Sequence, residues 1–444
     1  MKKAYIYLSA VALFAAALAG CTKDNHSGEM TVITVSLPDD AGTRTSYDYD
    51  EVNKLLKVTW VSGDKIGVYS SDTDTQPKIF TVQNIHADGK CADFTGTLPS
   101  GTGPFTVVYP YKYGLTSSEV LGSVLDGPQD GTLANLSRLD VMTGSLDAAT
   151  LKVSSLSHRI AVIRVISPTT ANQSGVSIRG AWGERHYYAS STANTSYIAV
   201  PTSTNATKSL YASVYAGSVC HCYAKTNDTE KSIPEGKMVK FDCSSIAPID
   251  YPVTGIIGGH EYVTIDGQNW ATCNIGACVP WEYGDHYNFG SFNVQTASNV
   301  EIYYTGTEDL QGKLNLTLND NTTIGGDVAA YKWGKGWKMP NATVEPLSGQ
   351  LDKLFEKNLG YTTLAGVNGR KFGYADAYVF IPSSGWTDDC YLTHQGSECR
   401  IWSSSHNANY AYFLSVGESS VSMKNNVSPL KLAMSVRPIH LGGN

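Results

Sequence analysis

Long apolar runs, clustered basic residues and catalytic signatures are all missing from most of this chain. Charged residues make up only 16% of the 444, with Lys and Arg at 33 against 40 Asp and Glu, a net charge of -7. No segment concentrates Lys and Arg, so neither nucleic acid nor an anionic membrane surface is expected as the main partner. Beyond the first twenty or so positions no apolar run is long enough to cross a bilayer. No serine elbow and no phosphate loop occurs. His260-Glu261 opens a zincin-like motif, but Thr264 stands where the second histidine would have to lie one helical turn on. The expectation is a protein that is not an enzyme and that has no cofactor.

What is present suits a β-rich exported protein. Gly (42) and Tyr (27) are plentiful, and short apolar segments are separated by Gly, Asn, Asp, Ser and Thr turns. The length allows two or three domains, each with its own core. The one extended apolar run, Ala4 to Ala19, follows Lys2 and Lys3 and ends in Leu18-Ala19-Gly20-Cys21. Residues 1–20 therefore read as a secretory signal. The tetrapeptide resembles the lipobox of bacterial lipoproteins, which implies that Cys21 becomes the acylated, palmitate-bearing first residue. Several acyl chains would then hold it at the cell outer membrane, facing outward.

Eight further cysteines follow: Cys91, Cys220, Cys222, Cys243, Cys273, Cys278, Cys390 and Cys399. An even number in an exported chain permits disulfides, with Cys390 to Cys399 and Cys273 to Cys278 the local candidates, whereas an anoxic habitat would leave thiols. Cys220-His221-Cys222 with Cys243 is the densest set of soft ligands. On a strand, however, the two cysteines point to one face and His221 to the other, so disulfides or buried thiols are the favoured reading over a metal.

After a polar spacer from Thr22 to Glu29, Met30-Thr-Val-Ile-Thr-Val-Ser-Leu37 alternates as a first strand, and Asp39 to Thr45 is a turn-rich loop presenting Arg44. Strands follow at close spacing: Leu55 to Trp60, Gly63 to Tyr69, Lys78 to Val82, Ala92 to Gly96 and Phe105 to Pro110. That spacing predicts a β-sandwich. Thr43-Arg44-Thr45, Trp60-Val-Ser-Gly63-Asp64-Lys-Ile-Gly-Val-Tyr69, Phe94-Thr-Gly-Thr-Leu98 and Val108-Tyr109-Pro110-Tyr111 together resemble the fimbrillin family of lipoprotein pilins and accessory subunits. Leu156 to Val165 looks like the strand opening that family's second sandwich, and Ile233 to Phe241 like its closing strand. The resemblance implies assembly by strand exchange. A protease cuts after an arginine, here Arg44 before Thr45, the first strand is lost, and a neighbouring subunit fills the groove. An anchor subunit would instead keep its lipid and stay uncut.

Ala247 to Gly259 is rich in Pro and Gly and marks a domain boundary. Beyond it, Val344, Leu347, Leu351 and Leu354 share a helical face, with Asn341 or Thr343 as cap, Pro346 in the first turn and Gly360 as stop. With strands on either side this is an α+β domain. Val263 to Trp270 with Asn274, Gly336-Trp337-Lys-Met-Pro340 with Glu345 and Leu347, Phe380-Ile-Pro382 with Gly385, Trp402-Ser-Ser-Ser405 and Ser435-Val-Arg-Pro438 resemble the FISUMP (Fib-succ-major paralogous) domain. That resemblance implies a C-type-lectin-like fold. Trp270 and Trp337 are assigned to its core.

The expected organisation is a signal peptide over 1–20, a lipidated spacer and removable strand over 21–44, fimbrillin-like sandwiches over 45–157 and 158–247, a linker over 248–260, and the lectin-like domain over 261–444. Its candidate binding loop, Ser384 to Cys399, carries Trp386, Asp388, Asp389, Tyr391, His394 and Glu398. Aromatic faces stack on sugars, and carboxylates accept hydroxyl hydrogen bonds or hold calcium. The calcium-lectin triplets are missing, however: Glu345-Pro346 is followed by Leu347 and Trp402 by Ser403. Trp386, Trp402 and Trp337 read equally well as packing, and Asp388 and Asp389 as a solvated turn. The expected function is a fimbrial subunit with a lectin-like adhesive module, bound to other subunits and to a glycan or surface protein. Because Leu441-Gly-Gly-Asn444 is too short to donate a strand, the expected place is the tip. The alternative is a surface lipoprotein that does not polymerise, an anchor or a glycan or protein receptor.

Overall fold

The computed structural model describes residues 29–37, 48–50, 55–57, 59–180, 182–233, 235–343, 346, 348–407, 410–427 and 431–442. The leader, Cys21, Arg44, Thr45, Val344, Glu345 and Leu347 lie outside them. The protein is mostly β and multi-sheeted, in two compact units. Among the described residues no helix is long and apolar enough to cross a membrane.

The first unit is built on one eight-stranded sheet, with a separate two-stranded pair, Asp48–Asp50 and Leu55–Lys57. The spatial order of the large sheet is Ser157–His158, Met142–Leu146, Phe105–Tyr109, Lys65–Tyr69, Lys78–Ile85, Cys91–Thr97, Met30–Ser36 and Lys152–Val153. An antiparallel bridge ties Lys152 on the last strand to Asp147, just past Met142–Leu146 and one strand in from the other end, so the sheet curls shut around a single core instead of forming the two facing sheets expected of a sandwich. Period-two alternation accounts for the core. In Cys91–Thr97 the buried residues are Ala92, Phe94 and Gly96. Gly96 leaves room for the Phe80 ring, which a Cβ there would meet at 2.7 Å. Trp60 packs edge-on against Phe94 and Tyr109, with centroids 4.9 and 5.6 Å away.

The second unit begins with a three-stranded sheet, ordered Thr195–Pro201, Ile160–Ile166 and Met238–Asp242. A five-stranded one is ordered Gly183–Ala189, Gln173–Gly180, Ser203–Ala216, Val219–Ile233 and Ile249–Pro252. The opening and closing strands picked out by the fimbrillin resemblance become parallel neighbours, Val162 opposite Met238 through Ile166 opposite Asp242. The stretch read as a linker is itself structured: Ile249–Pro252 is the fifth strand of that sheet, and Gly255–Ile257 is the edge of the next.

That next sheet runs Gly255–Ile257, His260–Ile265, Gln268–Ala271, Ile439–His440 and Trp337–Lys338. Trp270, Trp337 and Trp402 are buried around it. The expected helix is shorter and later, Gln350–Glu356, with Leu351 and Leu354 buried as anticipated. The Asp352 carboxylate accepts from the backbone N–H of both Thr343 and Gly349 at 2.8 Å. This holds Thr343 and Gly349 against the start of the helix in place of an earlier first turn. Gly360 sits within the strand Asn358–Leu364 and so does not end the helix.

Candidate functional site

Two places in the sequence point to function, the first strand and the loop from Ser384 to Cys399. The first strand turns Ile33 and Val35, with Leu37 just beyond it, into the core of its unit. Burying each contributes about 1.5–3 kcal/mol. On one side it pairs along its whole length with Cys91–Thr97, from Met30 opposite Thr97 to Ser36 opposite Cys91. On the other it has a short parallel pairing, Thr34 with Lys152 and Val35 with Val153. Backbone bonds from Thr34 to Leu151 and from Leu156 to Ser36 complete that side. The strand is thus a stave of the closed sheet, held firmly along one edge and lightly along the other.

The loop folds differently from the expected ligand platform. Trp386–Asp388 and Tyr391–Thr393 form a hairpin, with Asp389 and Cys390 at φ 51 and 73° in its turn. Trp386 is only 6% exposed. The His394 ring stacks on its indole at 4.3 Å and the Arg400 guanidinium lies 3.7 Å from the ring centre, so the indole serves as packing. Asp389 accepts from Lys431 at 3.1 Å. Asp388 and Glu398 both act on Arg400, whose pKa is lowered by burial. Tyr391 stands out at 76% exposure. The hairpin therefore joins Trp386 with His394 and places the carboxylates against cations, leaving Tyr391 and Leu392 exposed just past the turn.

All eight described cysteines are unpaired, which corrects the two proposed disulfides. Cys390 is exposed at the hairpin turn with its thiol toward the Thr296 carbonyl, whereas Cys399 is buried on the strand Glu398–His406. Cys278 donates to the Gly183 carbonyl at 3.1 Å, while Cys273 is buried beside Thr272. Burial pushes the Cys273 and Cys399 thiols up to about 12, so both stay protonated at neutral pH.

A third feature was not anticipated. Arg179, fully buried, projects from the strand Gln173–Gly180 and donates to Glu261 Oε1 at 3.2 Å, to Ser213 Oγ at 2.9 Å and to the Tyr251 hydroxyl at 2.7 Å. Glu261 also accepts from Tyr215 at 2.6 Å, Tyr251 at 2.9 Å and Thr272 at 3.2 Å. Burial and then the Arg179 charge hold the His186 pKa well below its ordinary value. His186 is therefore neutral, and its Nδ1 accepts from Arg179 at 2.9 Å. Cys220 and Cys222 line the same cluster with thiols raised by burial, Cys222 to about 11. The Glu261 that began a zincin-like motif is an ion-pair partner on a strand. The signal available in sequence was slight: one arginine among the apolar residues Val176 and Ile178.

No protein-family model matches the chain, and no curated protein matches it. Among solved structures, it is similar to a fimbrial protein from Bacteroides ovatus at 11% identity, with 94% of this chain and 99% of that one covered and a TM-score of 0.24. It is also similar to the tip fimbrial protein Mfa3 from Porphyromonas gingivalis with C-terminal truncation, at 8% identity, 50% and 99% coverage and a TM-score of 0.25. Superpositions this loose do not establish a shared fold.

Proposed function

We propose that this chain is a surface-exposed fimbrial subunit, placed at the tip. It accepts a donor strand after its own first strand is removed, and it presents an adhesive lectin-like region at its C-terminal side. The placement of Met30–Ser36 supports this most directly. The strand carries two core residues, Ile33 and Val35, with Leu37 just beyond it, and is held on its weaker side by two register pairs. Cleavage after Arg44 would leave it bound only by non-covalent contacts. Its loss opens a groove with unpaired backbone on both walls and empty apolar pockets, which a donor strand satisfies. The strand Ile439–His440 is flanked on both sides, by Gln268–Ala271 and Trp337–Lys338, so it is not offered to a neighbour. Acylation at Cys21 carries the chain to the outer membrane before processing.

A cross-strand staple tests the reading. Ser36 and Cys91 are directly opposite, with Oγ and Sγ 3.3 Å apart. The adjacent Leu37 N–H bonds the Lys90 carbonyl, which makes Ser36 and Cys91 a non-hydrogen-bonded pair, the closer kind. Oxidised Ser36→Cys should keep the first strand in place after cleavage and block polymerisation, with reductant restoring it. Polymerisation that is indifferent to the staple overturns strand exchange. Native protein from the envelope should begin at Thr45. A chain beginning at acylated Cys21 points to a surface lipoprotein that does not polymerise.

A further inference from the structure

Within the second unit a cleft of about 470 Å³ opens where the strand Gly183–Ala189 meets the end of the helix Val328–Trp333 and the segments carrying Gly258, Gly276 and Asp285. Its size lies in the range of small-ligand sites, roughly 300–1,000 Å³. Glu184 reaches across it and accepts from the Gly276 N–H at 2.6 Å. Glycine is needed there: at φ +86° a Cβ would lie 2.5 Å from the Asp285 carboxylate. Trp333 is buried against His260, rings stacked at 3.8 Å, and its indole N–H is directed to the Glu184 carboxyl across the cleft. Trp182, half-buried, supplies an indole on the other wall.

The charges in this cleft balance one another. Arg185 and Lys335 both pair with Asp126. Asp285 accepts from the Tyr287 hydroxyl at 3.0 Å, and Lys332 lies 5.4 Å over the Tyr287 ring. A charged ligand would meet like charge wherever it met its opposite. An uncharged polyol can instead donate hydroxyls to the carboxylates, accept from the lysines, and lay an apolar face on an indole. We propose that this cleft binds a neutral saccharide of one or two rings, with Trp182 as platform and Glu184 and Lys332 as its polar contacts. The inference rests on the adhesive part of the proposed function and is independent of strand exchange.

The full-length mature protein is applied to an array of neutral oligosaccharides ending in mannose, galactose, fucose or N-acetylglucosamine, with sialylated and sulfated glycans alongside. Affinity for the bound neutral glycans is then measured in solution. Trp182→Ala and Glu184→Gln should each weaken neutral-glycan binding at least tenfold, and Tyr391→Ala just past the hairpin turn should leave it unchanged. Lys332→Met, at an exposed side chain, should weaken it without touching the fold, which keeps the test decisive if Trp182→Ala does not fold. Three results overturn the inference: no neutral glycan bound at millimolar concentration, binding confined to sialylated or sulfated glycans, or binding indifferent to Glu184→Gln and Lys332→Met. Glycan capture that fails only with Tyr391→Ala overturns the cleft while leaving an adhesive function standing.

Discussion

Arg179 and Glu261 show what a single buried charge demands of its surroundings. Both side chains are fully buried, and each is met by several donors or acceptors, so the pair is tolerated because it is fully partnered. Removing one partner strands the other. Arg179→Met should cost about 3–5 kcal/mol in denaturant unfolding. Arg179→Met combined with Glu261→Leu should recover much of that loss, since neither charge then remains unpaired. Glu184 makes a different prediction. Burial pushes its carboxyl up to about 7, so the folded chain holds a proton that the unfolded chain has already released above its ordinary value of 4.5. The stability it contributes is full below about 4.5 and is lost as pH rises through about 7. Thermal unfolding at pH 5 and pH 8 should therefore fall more steeply for the parent than for Glu184→Gln, with the variant the more stable at pH 8. Parallel curves would show that the carboxyl is not raised. None of this was legible from composition, because the contacts join residues as many as 92 positions apart and only Glu261 stood in a recognisable motif.

Strands were the most legible elements. Ile33 and Val35, Ala92 and Phe94, and Val263 and Ile265 alternate in sequence, and they are buried where the alternation places them. The hairpin around Trp386 was less so, since an indole beside Asp388 and Asp389 looks the same in sequence whether it faces a sugar or the core. The difference lies in His394 and Arg400, which cover the ring. Trp386→Ala should accordingly destabilise the protein by about 3–5 kcal/mol, as loss of a buried aromatic does. Tyr391→Ala, on the facing strand of the same hairpin and exposed, should stay within about 0.5 kcal/mol of the parent. Equal effects from the two substitutions would mean that the hairpin is not packed in this way. The helix Gln350–Glu356 was legible in its apolar pair, Leu351 and Leu354, but not in its start. A carboxylate that takes two upstream N–H groups out of the helix leaves no mark on the apolar periodicity.

The division of the whole molecule depends on which residues share a core, something that a Pro/Gly-rich stretch indicates only weakly. The described residues up to 124, with 140–159, enclose one apolar cluster, while residues 125–139 and from 160 onward form the other unit around several. Within that second unit, Tyr211, Tyr215, Cys220 and Tyr251 share an apolar cluster with Val279, Trp281 and Phe380, and Arg179 and Glu261 bind each other across the same boundary. Separating the second β region from the C-terminal region would expose both the apolar cluster and the ion pair. The two regions should therefore unfold together, and calorimetry of the mature chain should resolve at most two transitions, neither of them belonging to residues 261–444 alone. The oxidised Ser36→Cys staple should raise only the transition of the first unit, because both of its ends lie in that unit. Arg179→Met should lower only the other. A third transition, or one in which the C-terminal region melts while the region before it stays folded, would show that the shared core does not couple them.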